Sequence, residues 1–130
     1  MANVVLTASI VSTITGAPMS TVGTGAALSI TTAGTDVIQS TQDVTTSYAA
    51  PDFGAITFPA LVLIQHTGTT DGSTASTESI TISTDGTTDS KISVPPTYKI
   101  LLYLTSKTNF KWKSNGASNI KAFIGAVEIA

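Results

Sequence analysis

The chain has no cysteine and no arginine, and its first ninety residues hold no lysine either. Without cysteine there are no disulfides and no thiolate metal ligands, so packing and hydrogen bonds alone must hold the fold. That fits a reducing compartment, or a protein that needs no covalent staples. Charged residues make up only 11% of the chain, well under the ~25% of ordinary soluble domains. Helix formers are scarce, with two Glu and two Met. The longest apolar run, which contains Pro59 to Ile64, is far short of the ~20 residues that cross a bilayer, so no membrane partner is expected. Met1 to Leu6 carries no basic residue, which argues against a secretory signal. No Asn-x-Ser/Thr acceptor occurs.

Hydroxyl side chains supply the missing polarity, with 24 Thr and 15 Ser. Threonine favours strands because its branched Cβ is stiff and suits a pleated surface. The composition therefore predicts an all-β protein. A length of 130 residues predicts a single domain over 1–130, which can bury roughly two thirds of its unfolded surface. The few charges are segregated along the chain. Asp36, Asp43, Asp52, Asp71, Glu78, Asp85 and Asp89 precede residue 91, and all six lysines follow with one acid, Glu128. Such a chain can present an acidic and a basic face, which suits contact with copies of itself or with a charged lattice.

Alternation and turn residues predict eight or nine short antiparallel strands. Val4 to Thr15 reads as one strand or two short ones, Ala26 to Thr32 as a strand and Asp36 to Tyr48 as a Thr-rich strand. Ala55 to Gln65 is the first strong element, with Ile56, Phe58, Ala60, Val62 and Ile64 on one face and Leu61 and Leu63 on the other. Pro59 cannot donate to a ladder and predicts a sheet edge or a break. Thr67 to Ser76 is a polar loop. Glu78 to Thr84 and Ser90 to Val94 form a hairpin around Asp85-Gly86, with Ile80, Ile82, Ile92 and Val94 inward. After Pro95-Pro96, Tyr98 to Thr105 is the most apolar strand and is expected at the centre of a sheet. Phe110 and Trp112 alternate with Lys111 and Lys113, and Asn115-Gly116 marks a turn. Ile120 to Ile129 closes the chain, with a bulge expected at Gly125. Ile80, Ile82, Ile92, Ile100, Leu102, Leu104, Trp112 and Phe123 form the expected core. This spacing predicts a β-sandwich or jelly roll.

No motif carries catalysis. His66 is the single histidine, and a triad needs it beside a nucleophile and an orienting acid. Serines are too frequent to inform, and no G-x-S-x-G elbow is present. His66 ends an apolar strand and is expected to be structural. Asp85 to Asp89 puts two carboxylates around a turn, but without EF-hand spacing. Asp71 with Glu78 is a weaker pairing. Gly23-Thr24-Gly25 lacks both the P-loop lysine and a βαβ setting. No metal, cofactor or catalytic residue is expected. Lys107, Lys111 and Lys113 flank Phe110 and Trp112, a pattern that can bind single-stranded nucleic acid. Absent arginine, inward aromatics and a pI of about 5.0 turn the expectation to a solvated strand or a protein or carbohydrate contact instead.

The segments Ile92-Ser93-Val94-Pro95-Pro96, Ile100 to Leu104, Phe110 to Gly116 and Ala122 to Ile129 together resemble a common layout in small tailed-phage virion proteins. These often end in a β-sandwich with a proline-bounded strand, an apolar strand and a glycine-tipped hairpin. The Thr/Ser/Ala/Gly richness also looks like phage capsid cement (decoration) and tail proteins. The likeness covers roughly forty residues and carries over no functional position. It implies a non-enzymatic protein made in the host cytoplasm and assembled in many copies on a virion, with sister copies or capsid protein as partners. A tail, neck or head-fibre component and a carbohydrate-binding sandwich are the alternatives. The expected contacts are Val4, Leu6 and Ile10, in an apolar segment over 1–15 that is either a core strand or an assembly arm, and Lys107, Lys111 and Lys113.

Overall fold

The computed structural model describes residues 3–6, 28–31, 37–86 and 92–129. Those residues form an all-β sandwich. Nine strands run in chain order: β1 Asn3–Leu6, β2 Leu28–Thr31, β3 Val37–Val44, β4 Ala60–His66, β5 Ile80–Ser83, β6 Ile92–Val94, β7 Lys99–Leu104, β8 Lys111–Ser114 and β9 Ile120–Glu128. β1 and β2 pair with each other. The rest make a four-stranded sheet of order β3-β9-β4-β7 and a three-stranded sheet of order β6-β5-β8, all antiparallel.

Period-2 alternation builds the core. In β9 the burial alternates without interruption from Ile120 to Ala126, and in β8 the buried Trp112 and Ser114 alternate with the half-buried Lys111 and Lys113. Ala60, Val62 and Ile64 of β4 join Ile120, Ala122, Ile124 and Ala126 of β9. They meet Ile80, Ile82, Val94 and Trp112 of the second sheet, and Phe110 just before β8, in one cluster. Phe53 touches both Phe58 and Phe110 edge-on, with centroids 5.1 and 5.8 Å apart, a favoured aromatic arrangement.

The two sheets are tied at both sides. Beyond β3 the chain leaves its own sheet. The Thr45 carbonyl accepts from Ser114 N–H at 2.7 Å, and Ala49 and Trp112 exchange two backbone bonds of 3.0 Å, so residues 45–49 line the β8 edge. On the other side Pro95-Pro96-Thr97-Tyr98 carries β6 into β7. Tyr98 N–H donates to the Pro95 carbonyl at 3.1 Å and Thr97 has φ +71°. Proline second and positive φ third define a type II turn, a position that usually takes glycine.

Several expectations are corrected. β7 is an edge strand, not a central one: only β4 pairs with it among the described residues. The strand expected from Ala55 starts at Ala60, directly after Pro59 and a cis Phe58–Pro59 peptide, because proline offers no ladder donor. No bulge interrupts β9. Gly125 pairs one-to-one with Gln39 on one side and Leu63 on the other. Phe123 is accordingly on the outer face and half-buried, and Ile92, Ile100 and Leu102 pack against the core only partly buried. The hairpin expected around Asp85-Gly86 is present, with Ile80 opposite Val94 and Ile82 opposite Ile92, and Gly86 N–H donates to the Asn109 carbonyl at 3.0 Å. Asp36, Asp89, the Gly23-Thr24-Gly25 segment and the expected strand beyond Leu6 lie outside the described residues.

Candidate functional site

The feature that stands out is the outer edge of β7. Antiparallel strands alternate between residues that bond a neighbour and residues that point away. His66 N–H donates to the Tyr98 carbonyl at 2.9 Å, so the register Ile64↔Ile100, Val62↔Leu102 and Ala60↔Leu104 carries the bonds to β4. The N–H and C=O groups of Lys99, Leu101 and Tyr103 therefore point to the free edge. Their side chains share the outer sheet face. Tyr103 is 59% exposed, Leu101 36%, and Tyr98 at the strand's start 65%; these are the large exposed hydrophobics among the described residues. Leu61 of β4, directly opposite Tyr103 of β7 and Val127 of β9, is shielded to 9%. Leu63, Phe123 and Val127 extend this apolar outer face, half-buried.

The other edge of the same sheet is different. β9 uses its odd-numbered residues for β4, since Thr67 N–H bonds the Lys121 carbonyl at 3.1 Å. Its even-numbered residues then bond β3, which leaves Gln39, Thr41 and Asp43 outward, and all three are exposed. Asp43 meets Lys121 Nζ at 2.7 Å. This is the described ion pair, and it joins an acid of the early chain to a lysine of the late chain within one molecule.

The remaining acids organise loops. Asp71 accepts from the N–H groups of Ser73 and Thr74 at 2.9 and 2.7 Å and from both their hydroxyls. These bonds, led by the Thr74 N–H, hold its pKa well below the usual carboxylate range. Glu78 accepts from the Ser114 hydroxyl at 2.8 Å and from the N–H groups of Ala117 and Ser118. Its pKa is lowered, first by the Ser114 bond. A Cβ at Gly116 would collide with the Glu78 carboxylate, so any larger residue there would push the carboxylate off its partners. Asp52 accepts from Gly54 N–H, Glu128 from Thr57 N–H, and Asp85 from the Ser83 hydroxyl. Sequence reading missed these clamps.

His66 is fully buried at the inner end of β4. Its Nε2 lies 2.8 Å from the Glu78 carbonyl, and its Nδ1 accepts from Gly68 N–H at 2.9 Å. A carbonyl only accepts and an N–H only donates, so the ring is the neutral Nε2–H tautomer. Burial lowers its pKa, against the opposing pull of the Glu78 carbonyl. Both nitrogens are committed to backbone, and the ring staples the first sheet to the start of β5.

The expected contact residues do not gather into one site. Lys111 and Lys113 lie on the outer face of β8, and Lys113 Nζ sits 5.0 Å from the Tyr48 ring centroid, within cation–π range. Lys107 is in the loop before β8, at a shallow groove of about 450 Å³ between residues 54–58 and 105–108, where it is the one charged lining side chain among the described residues. Val4 and Leu6 belong to β1, paired to β2, and Ile10 lies outside the described residues. Among the described residues no three His, Asp or Glu side chains gather as a metal site, and no helix is long and apolar enough to cross a membrane. Tyr98, Leu101 and Tyr103 were the residues to find. The sequence shows β7 apolar on both faces, through Leu101 and Tyr103, but that pattern suits a central strand as well as an edge.

No family model matches the chain, and neither a curated protein nor a solved structure matches it.

Proposed function

We propose that this chain is a non-enzymatic structural subunit that works by surface contact. The narrower reading is a capsid cement or decoration protein on a phage particle, made in the host cytoplasm. One observation carries the contact role: an apolar strand edge, with Leu101 and Tyr103 exposed beside backbone groups that no other described strand pairs. An isolated domain gains nothing from such an edge and risks aggregation, whereas an assembling subunit has it covered. The polar side chains suited to chemistry support the same reading, since His66, Asp71 and Glu78 are committed to their own backbone. The virion assignment draws on the resemblance of residues 92–129 to small phage proteins. A tail, neck or head-fibre subunit shares this mechanism.

The test is mass spectrometry of purified particles made from the encoding genome. Stoichiometric recovery with full heads supports cement, and recovery with separated tails supports the tail reading. Absence from intact particles overturns both. The exposed Tyr98 and Tyr103 also suit a carbohydrate surface, and glycan-array binding lost on their replacement by alanine would favour that module instead.

A further inference from the structure

We infer that β7 pairs antiparallel with β7 of a second copy, joining two four-stranded sheets into one eight-stranded sheet across a two-fold axis at Leu101. The inference rests on the reading of the chain as an assembling subunit and names the surface and the partner.

The argument starts from the direction of the backbone groups. The N–H and C=O of Lys99, Leu101 and Tyr103 face outward, a template for one more strand. The outward set is self-complementary. With Leu101 opposite its own copy, Lys99 falls opposite Tyr103 of the second chain, and Tyr103 opposite its Lys99. Directly opposed side chains stand about 4.5–5.5 Å apart at Cβ. The Lys99 ammonium can then cover the partner tyrosine ring, the same contact that Lys113 makes with Tyr48 at 5.0 Å. Leu101 meets leucine at the axis. The two lysines sit at opposite ends of the pairing, so like charges are kept apart.

The alternative edge is a poor partner. β3 presents Gln39, Thr41 and Asp43, polar side chains of which Asp43 already holds Lys121. The sheet thus has one protected edge and one open one. Pairing the open edge with itself leaves only protected edges and closes the assembly, as two-fold contacts do. A six-residue strand buries less than the ~1,600 Å² of a standard interface, so the dimer is concentration-dependent.

The test uses the full chain, whose lack of cysteine makes single-cysteine variants clean. Bonded residues opposite each other have Cα atoms about 5.5 Å apart, inside disulfide range. Leu101→Cys should therefore form a cross-linked dimer under mild oxidation at least ten times faster than Gln39→Cys on the β3 edge. Sedimentation velocity should show wild type shifting from monomer to dimer between micromolar and about 1 mM. Leu101→Lys, which sets two ammonium groups at the axis, should stay monomeric with an unchanged circular dichroism spectrum. Tyr103→Ala should weaken association about five-fold or more. The inference is overturned by a wild type that is monomeric at about 1 mM, by equal cross-linking at residues 39 and 101, or by faster cross-linking of Leu101→Cys with Thr41→Cys than with itself. A monomer that still copurifies with particles would overturn the two-fold pairing alone. A dimer absent from particles would overturn the virion reading alone.

Discussion

Replacing His66 tests the view that this histidine is a staple between sheets. His66→Leu keeps the volume roughly constant and removes both ring nitrogens. The Glu78 carbonyl and the Gly68 N–H then lose their partners, at 2.8 and 2.9 Å respectively. Each unpaired buried group costs ~1–3 kcal/mol, and both are only partly buried, so the lower part of that range applies. The loss should be about 2–4 kcal/mol, a large share of the ~5–15 kcal/mol that holds a domain together. Urea melts read by tryptophan fluorescence would measure it, since Trp112 lies in the core. His66→Gln, whose amide can replace one of the two bonds, should fall between wild type and leucine. The pH dependence gives an independent reading. The folded pKa is below the ordinary 6.5, so the unfolded chain takes up the proton first. The stabilisation is then complete above about 6.5 and is lost as pH falls through the folded value, where a second ring proton would face the Gly68 N–H. Wild type should lose stability over this window and His66→Leu should not. A leucine variant within ~0.5 kcal/mol of wild type, or one with the same pH slope above pH 5, would refute the staple.

Burial sets the cost of apolar truncations. Ile64→Ala, fully buried in β4, should cost ~2–5 kcal/mol in chemical denaturation, whereas Leu101→Ala on the exposed edge should cost less than about 1 kcal/mol. Gly116→Ala should lower the melting temperature by displacing Glu78. It should be strongly non-additive with Glu78→Ala in a double-mutant cycle, because both break one clamp. Thr97→Gly, at the positive-φ position of the type II turn, should be neutral or stabilising by up to ~1 kcal/mol despite the greater freedom of glycine when unfolded, and thermal melts would show it.

Strands with one wet face were legible in the sequence, since a half-buried sheet forces period 2 on side-chain polarity. Ile80 and Ile82, and Trp112 between Lys111 and Lys113, could be oriented from that pattern alone. The place of a strand in its sheet was not legible. An apolar pattern on both faces, as in Ile100 to Leu104, describes a central strand and an open edge equally well, and the order β3-β9-β4-β7 depends on contacts far apart in the chain. β9 misled for another reason. It puts Ala122 and Ala126 inside and Phe123 outside, the reverse of a ranking by hydrophobicity, and Gly125 then imitates a bulge. Two acid clamps escaped because their partners are distant: Glu78 is organised by residues 114–118 and Glu128 by Thr57, whereas Asp52, Asp71 and Asp85 each hold a partner within three residues.

The position of β9 also bears on how the protein is made. It is the last described strand to leave the ribosome, yet it lies in the middle of its sheet, between β3 and β4. Until it emerges, β3 and β4 have no bond to each other, and the sheet exists at most as the β4–β7 pair. β3 and β9 pair residues as far apart as Val37 and Val127, the kind of distant closure that slows folding. The larger sheet can therefore be completed only once β9 has been made. A ribosome that stalls or terminates before Ile120 would release a chain whose sheet is split through its centre, not one shortened at an edge.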